Sequence, residues 1–194
     1  MVLTLDTNAL VNLEKGAPEA TYLRAMINLC DQGRLCIQVP AISASESPFG
    51  GRPKSFGYFM DRLKGVGLVR CKILPTIGYW DITFVECTVW ATESSLRLET
   101  RIHEILFPTI PCVYSQFLSS ANESSEERLV HKRWLNAKCD VAAMWCHIKH
   151  RGDVFVTSDK NYHKISRKGH LLALGANAIC TPEEALNIVT AQVT

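Results

Sequence analysis

The chain has 194 residues, of which 47% are hydrophobic and 21% are charged, and its formal net charge at pH 7 is +2. This length fits one domain, and a folded chain of this size buries roughly 70% of the surface that it exposes when unfolded. Ordinary numbers of Gly (11) and Pro (8), without a persistent heptad pattern, exclude collagen-like, low-complexity and coiled-coil proteins. No apolar run reaches about 18 residues, so no transmembrane helix is expected.

The N-terminal part of the chain predicts strands that alternate with helices. Val2–Leu5 is an apolar run of the buried-strand type. Apolar residues recur at helical spacing over residues 18–32, with a proline near the start and a glycine just past the end. Residues 35–39 predict a second strand, and residues 40–47 predict a turn into a short helix that carries Glu46.

Residues 48–122 predict a less regular arrangement. Within this range, residues 68–74 resemble a strand, residues 81–90 are rich in β-forming residues, and residues 96–107 show helical periodicity. We therefore expect a single domain over residues 1–194, in which residues 48–122 form an insertion and not a second domain that folds by itself.

A long helical region follows the expected insertion. Ser124 and Glu127 have the spacing of a capping box, and helical character continues from there toward Gly152. An unbroken helix of this length is uncommon in a small domain, so Asn136 is predicted to cap a new helix midway.

The C-terminal segment predicts two more strands and a last helix. Residues 154–157 have the composition of a central strand, and residues 176–180 that of a weaker one. Residues 181–184 form a capping box with proline at the first helical position. Strands that alternate with helices predict an α/β fold with a mostly parallel sheet covered by helices on both faces.

Four carboxylates stand at related places in these elements. Asp6 follows the first strand, Glu46 follows the second, Asp159 follows the strand at residues 154–157, and Asp140 lies on the helix before that strand. Because the carboxyl ends of parallel strands share one edge of a sheet, these acids are expected to converge. Converging carboxylates repel one another unless a bound cation neutralises them.

An all-oxygen site of this kind suits Mg²⁺ or Mn²⁺ better than zinc, which prefers Cys and His ligands. With a phosphodiester as substrate, such a cation binds the non-bridging oxygens, lowers the pKa of an attacking water and stabilises the leaving oxygen. The sequence therefore predicts a metal-dependent hydrolase in which water is the nucleophile.

Two motifs, one near each end of the chain, carry a family resemblance. Residues 3–10 are LTLDTNAL, and residues 154–162 are VFVTSDKNY. They resemble the first strand with its Asp-x-Asn signature, and the late strand followed by Thr-x-Asp, of the PIN-domain nucleases. Asp140 is similar in position to that family's helix acid, and Glu46 in Ala-Ser-Glu to its early glutamate.

The resemblance implies a three-layer α/β/α sandwich with a central, mostly parallel sheet, and Mg²⁺- or Mn²⁺-dependent cleavage of RNA by an endoribonuclease. It implies catalytic and metal-ligand roles for Asp6, Glu46, Asp140 and Asp159. It implies a supporting polar role for Asn8, Thr157 and Ser158. Many small members of the family are toxins paired with an antitoxin, so an antitoxin partner and a homo-oligomer are both open for this chain.

Basic residues are concentrated after the long helical region begins. Residues 131–170 contain nine Lys and Arg but three Asp, whereas residues 81–127 contain eight Asp and Glu but two Arg. Such a charge separation can steer a polyanion, although a solvated basic surface without function is the competing interpretation. The candidates for phosphate contacts beside the scissile bond are Lys160, Lys164, Arg167 and Lys168.

Several alternatives stay open. Cys146, His147 and His150 could suggest a transition-metal site, but without a second ligand pair a solvated helix face is favoured. Glu14 is the nearest substitute for Glu46. A haloacid-dehalogenase-type phosphatase also has a strand-end aspartate, but its usual second aspartate is Asn8 here. A non-catalytic PIN-like module that binds RNA or serves as a scaffold is the third hypothesis.

The remaining expectations concern the cysteines and the cellular compartment. The eight cysteines include no CxxC pair, which predicts reduced thiols in a reducing compartment. Asp6 comes before an apolar signal-peptide stretch could form, so we expect a cytoplasmic protein.

Overall fold

The protein is described from a computed structural model that covers residues 1–46, 55–79, 82–120 and 127–193. Its strands are β1 (Val2–Leu5), β2 (Cys36–Pro40), β3 (Lys72–Leu74), β4 (Thr76–Ile77), β5 (Thr88–Val89), β6 (Val154–Val156) and β7 (Ala178–Cys180). Its α-helices are α1 (Thr7–Lys15), α2 (Ala20–Asp31), α3 (Phe56–Gly65), α4 (Glu93–Leu106), α5 (Tyr114–Ser120), α6 (Glu127–Lys149), α7 (Lys160–His163), α8 (Ile165–Leu171) and α9 (Pro182–Val193). A short 3₁₀ helix, Ala41–Ser45, follows β2 directly.

Five of the strands form one parallel sheet in the order β3-β2-β1-β6-β7. The central strand β1 pairs on both sides, with Thr4 opposite Gln38 on β2 and opposite Phe155 on β6. This arrangement confirms the predicted α/β fold with a parallel sheet. In such a sheet the carboxyl ends of β1, β2 and β6 lie along the same edge.

Two apolar clusters cover the sheet, one on each face. Successive residues of β6 divide between them, since Phe155 belongs to one cluster and Val154 and Val156 belong to the other. The first cluster includes residues of α4 and α6, and the second includes residues of α1, α2 and α9. Helices on both faces are consistent with the expected three-layer sandwich.

The described part of residues 48–122 contributes to both clusters. Leu74 and Ile102 are fully buried in the first, and Phe59 and Leu63 are buried in the second. The predicted strand at residues 68–74 is present as the shorter β3, and within the described part of residues 81–90 the strand is limited to β5. That residues 48–122 are an insertion in a PIN-like domain stays a prediction.

Helix α6 is continuous, so the predicted break at Asn136 is wrong. Tertiary contacts hold both halves of the helix. Trp134 donates a hydrogen bond from Nε1 to the carbonyl oxygen of Pro111 at 3.1 Å, and Trp145 donates one to that of Ser95 at 3.2 Å. The predicted capping box at Ser124 lies outside the described residues.

A buried ion pair also joins α6 to α4. Lys138 Nζ contacts Glu99 Oε1, and the two residues are 3% and 4% exposed. Lys138 is basic and belongs to the 131–170 segment, but it does not face solvent.

The predicted capping box of the last helix is confirmed. The backbone N–H of Glu184 donates to Thr181 Oγ1 at 3.3 Å, and the backbone N–H of Thr181 donates to Glu184 Oε2 at 2.8 Å. These reciprocal bonds satisfy two of the N–H groups that a helix start leaves free.

His147 is a core residue, and the predicted solvated helix face is wrong at this position and at Cys146, since both are 0% exposed. His147 Nε2 lies 2.8 Å from the carbonyl oxygen of Ala176, which can only accept, so Nε2 carries the proton. Nδ1 then accepts from the Thr4 hydroxyl at 2.8 Å. Burial lowers the pKa of His147 to about 4, and the ring is neutral at pH 7.

The close approach of Gly152 to His147 leads to a stability prediction. A Cβ atom at position 152 would lie 2.3 Å from His147 Nδ1 and 2.6 Å from Thr4 Oγ1. We expect Gly152→Ala to lower the free energy of unfolding by about 1–3 kcal/mol, because a packed core must move to accept the methyl group. Urea unfolding followed by circular dichroism measures the change.

Gly169→Ala is the matched control. A Cβ atom at position 169 would meet no atom within 4 Å, and the residue lies inside α8. Alanine is expected to stabilise the chain there by about 0.5–1 kcal/mol through its higher helix propensity. Equal stability of the two variants would contradict the assigned packing at Gly152.

Candidate metal centre

The fold brings the predicted acids to the carboxyl edge of the sheet. Asp6 follows β1 and caps α1, and its backbone N–H donates to the carbonyl oxygen of Val156 at 3.1 Å. Asp159 follows β6 and caps α7, accepting from the N–H of Asn161 at 2.8 Å. Glu46 follows the 3₁₀ helix after β2, and Asp140 lies on α6.

These four side chains, which we call the acid cluster, interact electrostatically. Burial raises the pKa of Asp6 to about 6, and the negative charge of Asp159 adds to the rise. Burial raises the pKa of Glu46 to about 7, with a contribution from Asp6. The pKa of Asp140 is raised well above its ordinary value by burial and then by the charges of the other three acids. Like charges within a shared site have this effect.

The acid cluster has no ion-pair partner among the described residues. The guanidinium of Arg62, whose charge opposes the rise in the pKa of Glu46, binds both carboxylate oxygens of Glu14, with Nε to Oε1 at 2.7 Å and Nη2 to Oε2 at 3.1 Å. Arg62 also donates to the backbone carbonyl oxygen of Glu46 at 3.1 Å. Glu14 is thus occupied by Arg62, and Glu46 is the glutamate whose charge couples to Asp6.

The hydroxyl of Thr157 connects the predicted supporting residues. Thr157 Oγ1 donates to Asp6 Oδ2 at 2.7 Å and accepts from Asn8 Nδ2 at 2.9 Å and from the N–H of Asp159 at 3.0 Å. Asn8 Nδ2 also lies 2.7 Å from Asp6 Oδ2, and Asn8 Oδ1 accepts from the N–H of Ser158 at 3.1 Å. This network fixes the direction of the Asp6 carboxylate.

Sequence reasoning missed three residues that support the centre. Asn12 Nδ2 donates to Ser158 Oγ at 3.3 Å, and the fully buried Tyr162 donates from its hydroxyl to the carbonyl oxygen of Asp140 at 2.8 Å. Arg62 was the third. The spacing of Asn12 and Asn8 was a usable signal, because residues four apart share one face of a helix.

Replacing Thr157 by Val tests the network. The change removes the hydroxyl but keeps the branched shape, so the buried Asp6 carboxylate loses a donor. We expect the free energy of unfolding to fall by about 1–3 kcal/mol and the affinity for Mn²⁺ to fall roughly 10- to 100-fold. Calorimetric titration and urea unfolding measure the two effects, and Thr157→Ser, which keeps the hydroxyl, should retain most of both. Equal losses in the two variants would contradict a role of the hydroxyl.

A pocket of about 340 Å³ lies beside the acid cluster and includes Asp140 in its lining. We call it the Asp140 pocket. It is lined by residues 106–110 at the end of α4 and just after it, by α6 residues between positions 133 and 140, and by Asn161, Lys164 and Arg167.

The four predicted phosphate-binding residues divide between three places. Lys164 and Arg167 line the Asp140 pocket, and Lys160 is exposed at the start of α7. Lys168 instead lies near Glu184, whose pKa is lowered by hydrogen bonds with Thr181 and further by the charge of Lys168.

The donor set of the acid cluster fits a hard divalent cation, because every acid offers carboxylate oxygens. Within the described ranges, no group of three or more His, Cys, Asp or Glu side chains is already arranged to hold a metal ion. The carboxylates therefore lie within electrostatic reach of one another but still have to draw together to coordinate a shared ion.

No protein-family model matches the chain, and no curated protein matches it. Within the part of the chain that the structure describes, no helix is both long enough and apolar enough to cross a membrane.

Proposed function

We propose that the protein is a PIN-like, Mg²⁺- or Mn²⁺-dependent endoribonuclease. The observation that carries the proposal is the acid cluster itself. Three strand-end carboxylates and Asp140 of α6 interact electrostatically, and none of them has an ion-pair partner among the described residues. The pKa values of Asp6, Glu46 and Asp140 are raised by burial and by the neighbouring acids. Burying like charges without compensation costs free energy, and a divalent cation removes that cost.

The alternatives differ in what Asp6 must do. A phosphatase of the haloacid-dehalogenase type needs an aspartate oxygen that is free to attack phosphorus. Both oxygens of Asp6 accept hydrogen bonds instead, Oδ1 from the N–H of Thr7 at 2.8 Å and Oδ2 from Asn8 and Thr157. This supports a role for Asp6 as a fixed metal ligand.

In the proposed reaction the chain's residues bind and orient the substrate. When bound, the cation supplies charge neutralisation at the scissile phosphate and lowers the pKa of the attacking water. Asp6 is held by Thr157 and Asn8, so it keeps one direction throughout the reaction. Lys164 and Arg167 line the neighbouring pocket, where they contact phosphates next to the scissile bond. Lys164 and Arg167 thereby position the RNA backbone across the acids.

Incubating the purified chain with a panel of RNAs in Mn²⁺, Mg²⁺ or EDTA tests the proposal. We expect cleavage in either cation and none in EDTA. Attack by water leaves a phosphate on one new end and a hydroxyl on the other, so the products should carry no 2′,3′-cyclic phosphate.

Two outcomes would count against the nuclease. Binding of RNA without cleavage in any cation would favour the non-catalytic module. Absence of Mn²⁺ binding in a calorimetric titration would remove the metal centre as well, whatever the RNA result.

A further inference from the structure

The Asp140 pocket shares Asp140 with the acid cluster, so a substrate bound at the cluster reaches it directly. Its volume of about 340 Å³ lies in the range of roughly 300–1,000 Å³ found for small-ligand pockets. Its lining comes from the turn after α4, from α6, and from the segment that begins at Asn161. The wall after α4 differs in chemical character from the other two.

Two of the walls are cationic. Arg133, Lys164 and Arg167 line the pocket, and none of them forms an ion pair with another described residue. Of the described lining residues Asp140 alone is acidic, and a cation at the acid cluster would offset its charge. The pocket then carries excess positive charge, and guanidinium groups suit phosphate because they offer paired N–H donors.

The third wall is apolar and held in place. Phe107 is half-buried beside the exposed Pro108, and its backbone N–H donates to the carbonyl oxygen of His103 at 2.7 Å. Its own carbonyl oxygen accepts from the N–H of Ile110 at 3.0 Å. Asn161 Nδ2 donates to the carbonyl oxygen of Leu106 at 3.4 Å, which ties this wall to the segment that carries Asp159. The ring of Phe107 packs against that of His103, with 5.9 Å between the ring centroids. An aromatic side chain held in this way offers a face on which a nucleobase stacks.

We propose that the Asp140 pocket binds one unpaired nucleotide next to the scissile phosphate, with its phosphate on Arg133 and Arg167 and its base against Phe107. The inference rests on the proposed nuclease function, since it assigns the pocket to the substrate of that site. A base inside a duplex is stacked between its neighbours and cannot enter a pocket without leaving the helix. The pocket therefore selects a strand that is unpaired at this position.

Fluorescence anisotropy with a short labelled single-stranded RNA, in EDTA so that metal-dependent cleavage cannot occur, tests the subsite. Phe107→Ala should weaken binding about tenfold or more and leave the salt dependence unchanged, because stacking is not ionic. Arg167→Gln should weaken binding and lower the slope of log K against log salt by about 0.7, the value for one lost phosphate contact on a single strand. A duplex of the same sequence should bind at least about tenfold more weakly than the single strand.

Two further variants control for folding and for general surface charge. Phe107→Leu keeps an apolar side chain but removes the aromatic face, so it should weaken binding while keeping the unfolding midpoint. Lys132→Gln removes an exposed charge beside Arg133 that does not line the pocket, and binding should stay within about twofold of the parent. Loss of binding in Lys132→Gln equal to that in Arg133→Gln would overturn the subsite.

The result separates the subsite from the nuclease proposal, since binding in EDTA requires no cleavage. If the parent cleaves RNA in Mn²⁺ but Phe107→Ala and Arg167→Gln bind the single-stranded RNA as tightly as the parent does, the subsite alone is overturned. The expected binding pattern without cleavage in Mn²⁺ would overturn the nuclease and keep the subsite.

Discussion

Asp140→Asn should abolish Mn²⁺-dependent RNA cleavage, with a fall of at least about 1,000-fold, which corresponds to roughly 4 kcal/mol of transition-state stabilisation. Asn keeps the shape of the side chain but removes the charge that the proposed cation needs. The free energy of unfolding in EDTA should rise, because the pKa of Asp140 is raised by burial and by the other three acids, and Asn carries no charge that must be buried. Initial rates on one labelled RNA and urea unfolding measure the two effects.

Glu104→Gln is the control for Asp140→Asn. Glu104 is exposed on α4, and its ion pair with Arg101, at 3.5 Å, lies on the surface, so its loss should change neither rate nor stability measurably. Full cleavage by purified Asp140→Asn protein would rule out the acid cluster as the catalytic centre. A loss of activity that comes with unfolding would point to a structural role for Asp140.

Asp6→Asn should change how the free energy of unfolding depends on pH. Above pH 7 the variant should be more stable than the parent in EDTA and less stable than the parent in saturating Mn²⁺. Burial raises the pKa of Asp6 from 3.8 to about 6, so the folded chain holds a proton that the unfolded chain has released between these values. The protonated form is favoured by folding, and the stabilisation present below pH 4 is lost as the pH rises past 6. In EDTA, Asp6→Asn should therefore gain about 2 kcal/mol relative to the parent between pH 4.5 and pH 8.

Comparing the variant with the parent isolates this effect from that of His147. The pKa of His147 is lowered by burial to about 4, so the unfolded chain binds the proton more tightly and stability rises with pH between 4 and 6.5. This contribution is the same in both proteins and cancels in the difference. Altered hydrogen bonds at position 6 shift the free energy of unfolding by an amount that does not depend on pH. This shift cancels when the slopes of unfolding free energy against pH are compared.

Saturating Mn²⁺ should reverse the order of stability above pH 7. A cation at 1,000 times its dissociation constant stabilises the parent by about 4.1 kcal/mol, which exceeds the roughly 3 kcal/mol that the ionised Asp6 costs the parent, and Asp6→Asn should gain little of it. The apparent affinity of the parent should rise with pH up to about 7, because the cation displaces protons from Asp6 and Glu46. Urea unfolding from pH 4.5 to 8, with EDTA or Mn²⁺, measures both changes. Equal stabilisation of both proteins by Mn²⁺ would place the cation elsewhere.

Most elements could be predicted from the sequence because their signals are local. The apolar run Val2–Leu5 became β1 with the same bounds, and the reciprocal spacing of Thr181 and Glu184 became the cap of α9. Helix α4 begins at Glu93, before the predicted position 96, because Thr92 Oγ1 caps it by accepting from the N–H of Ser95 at 3.2 Å. The predicted break at Asn136 is wrong because the capping signal there is only local. The hydrogen bonds of Trp134 and Trp145 with residues distant in the chain hold both halves of α6 in one helix.

The candidate site divides in a similar way. Asp6, Asp159 and Glu46 follow β1, β6 and the helix after β2, so the rule that parallel strands end at one edge is enough to bring them together. The partner of Thr157 is 151 positions away at Asp6, and that of Arg62 is 48 positions away at Glu14. No local pattern carries information about such pairs.

The sequence by itself determined which segments become strands and helices and which strand ends carry an acid, because periodicity and capping depend on neighbours within a few residues. Only the tertiary structure decided that Glu14 belongs to Arg62, that His147 is buried beside Thr4, and that Lys164 and Arg167, but not Lys168, line a pocket with Asp140. These outcomes depend on how helices on the two faces of the sheet are placed against it. That placement is set by the packing of residues far apart in the chain.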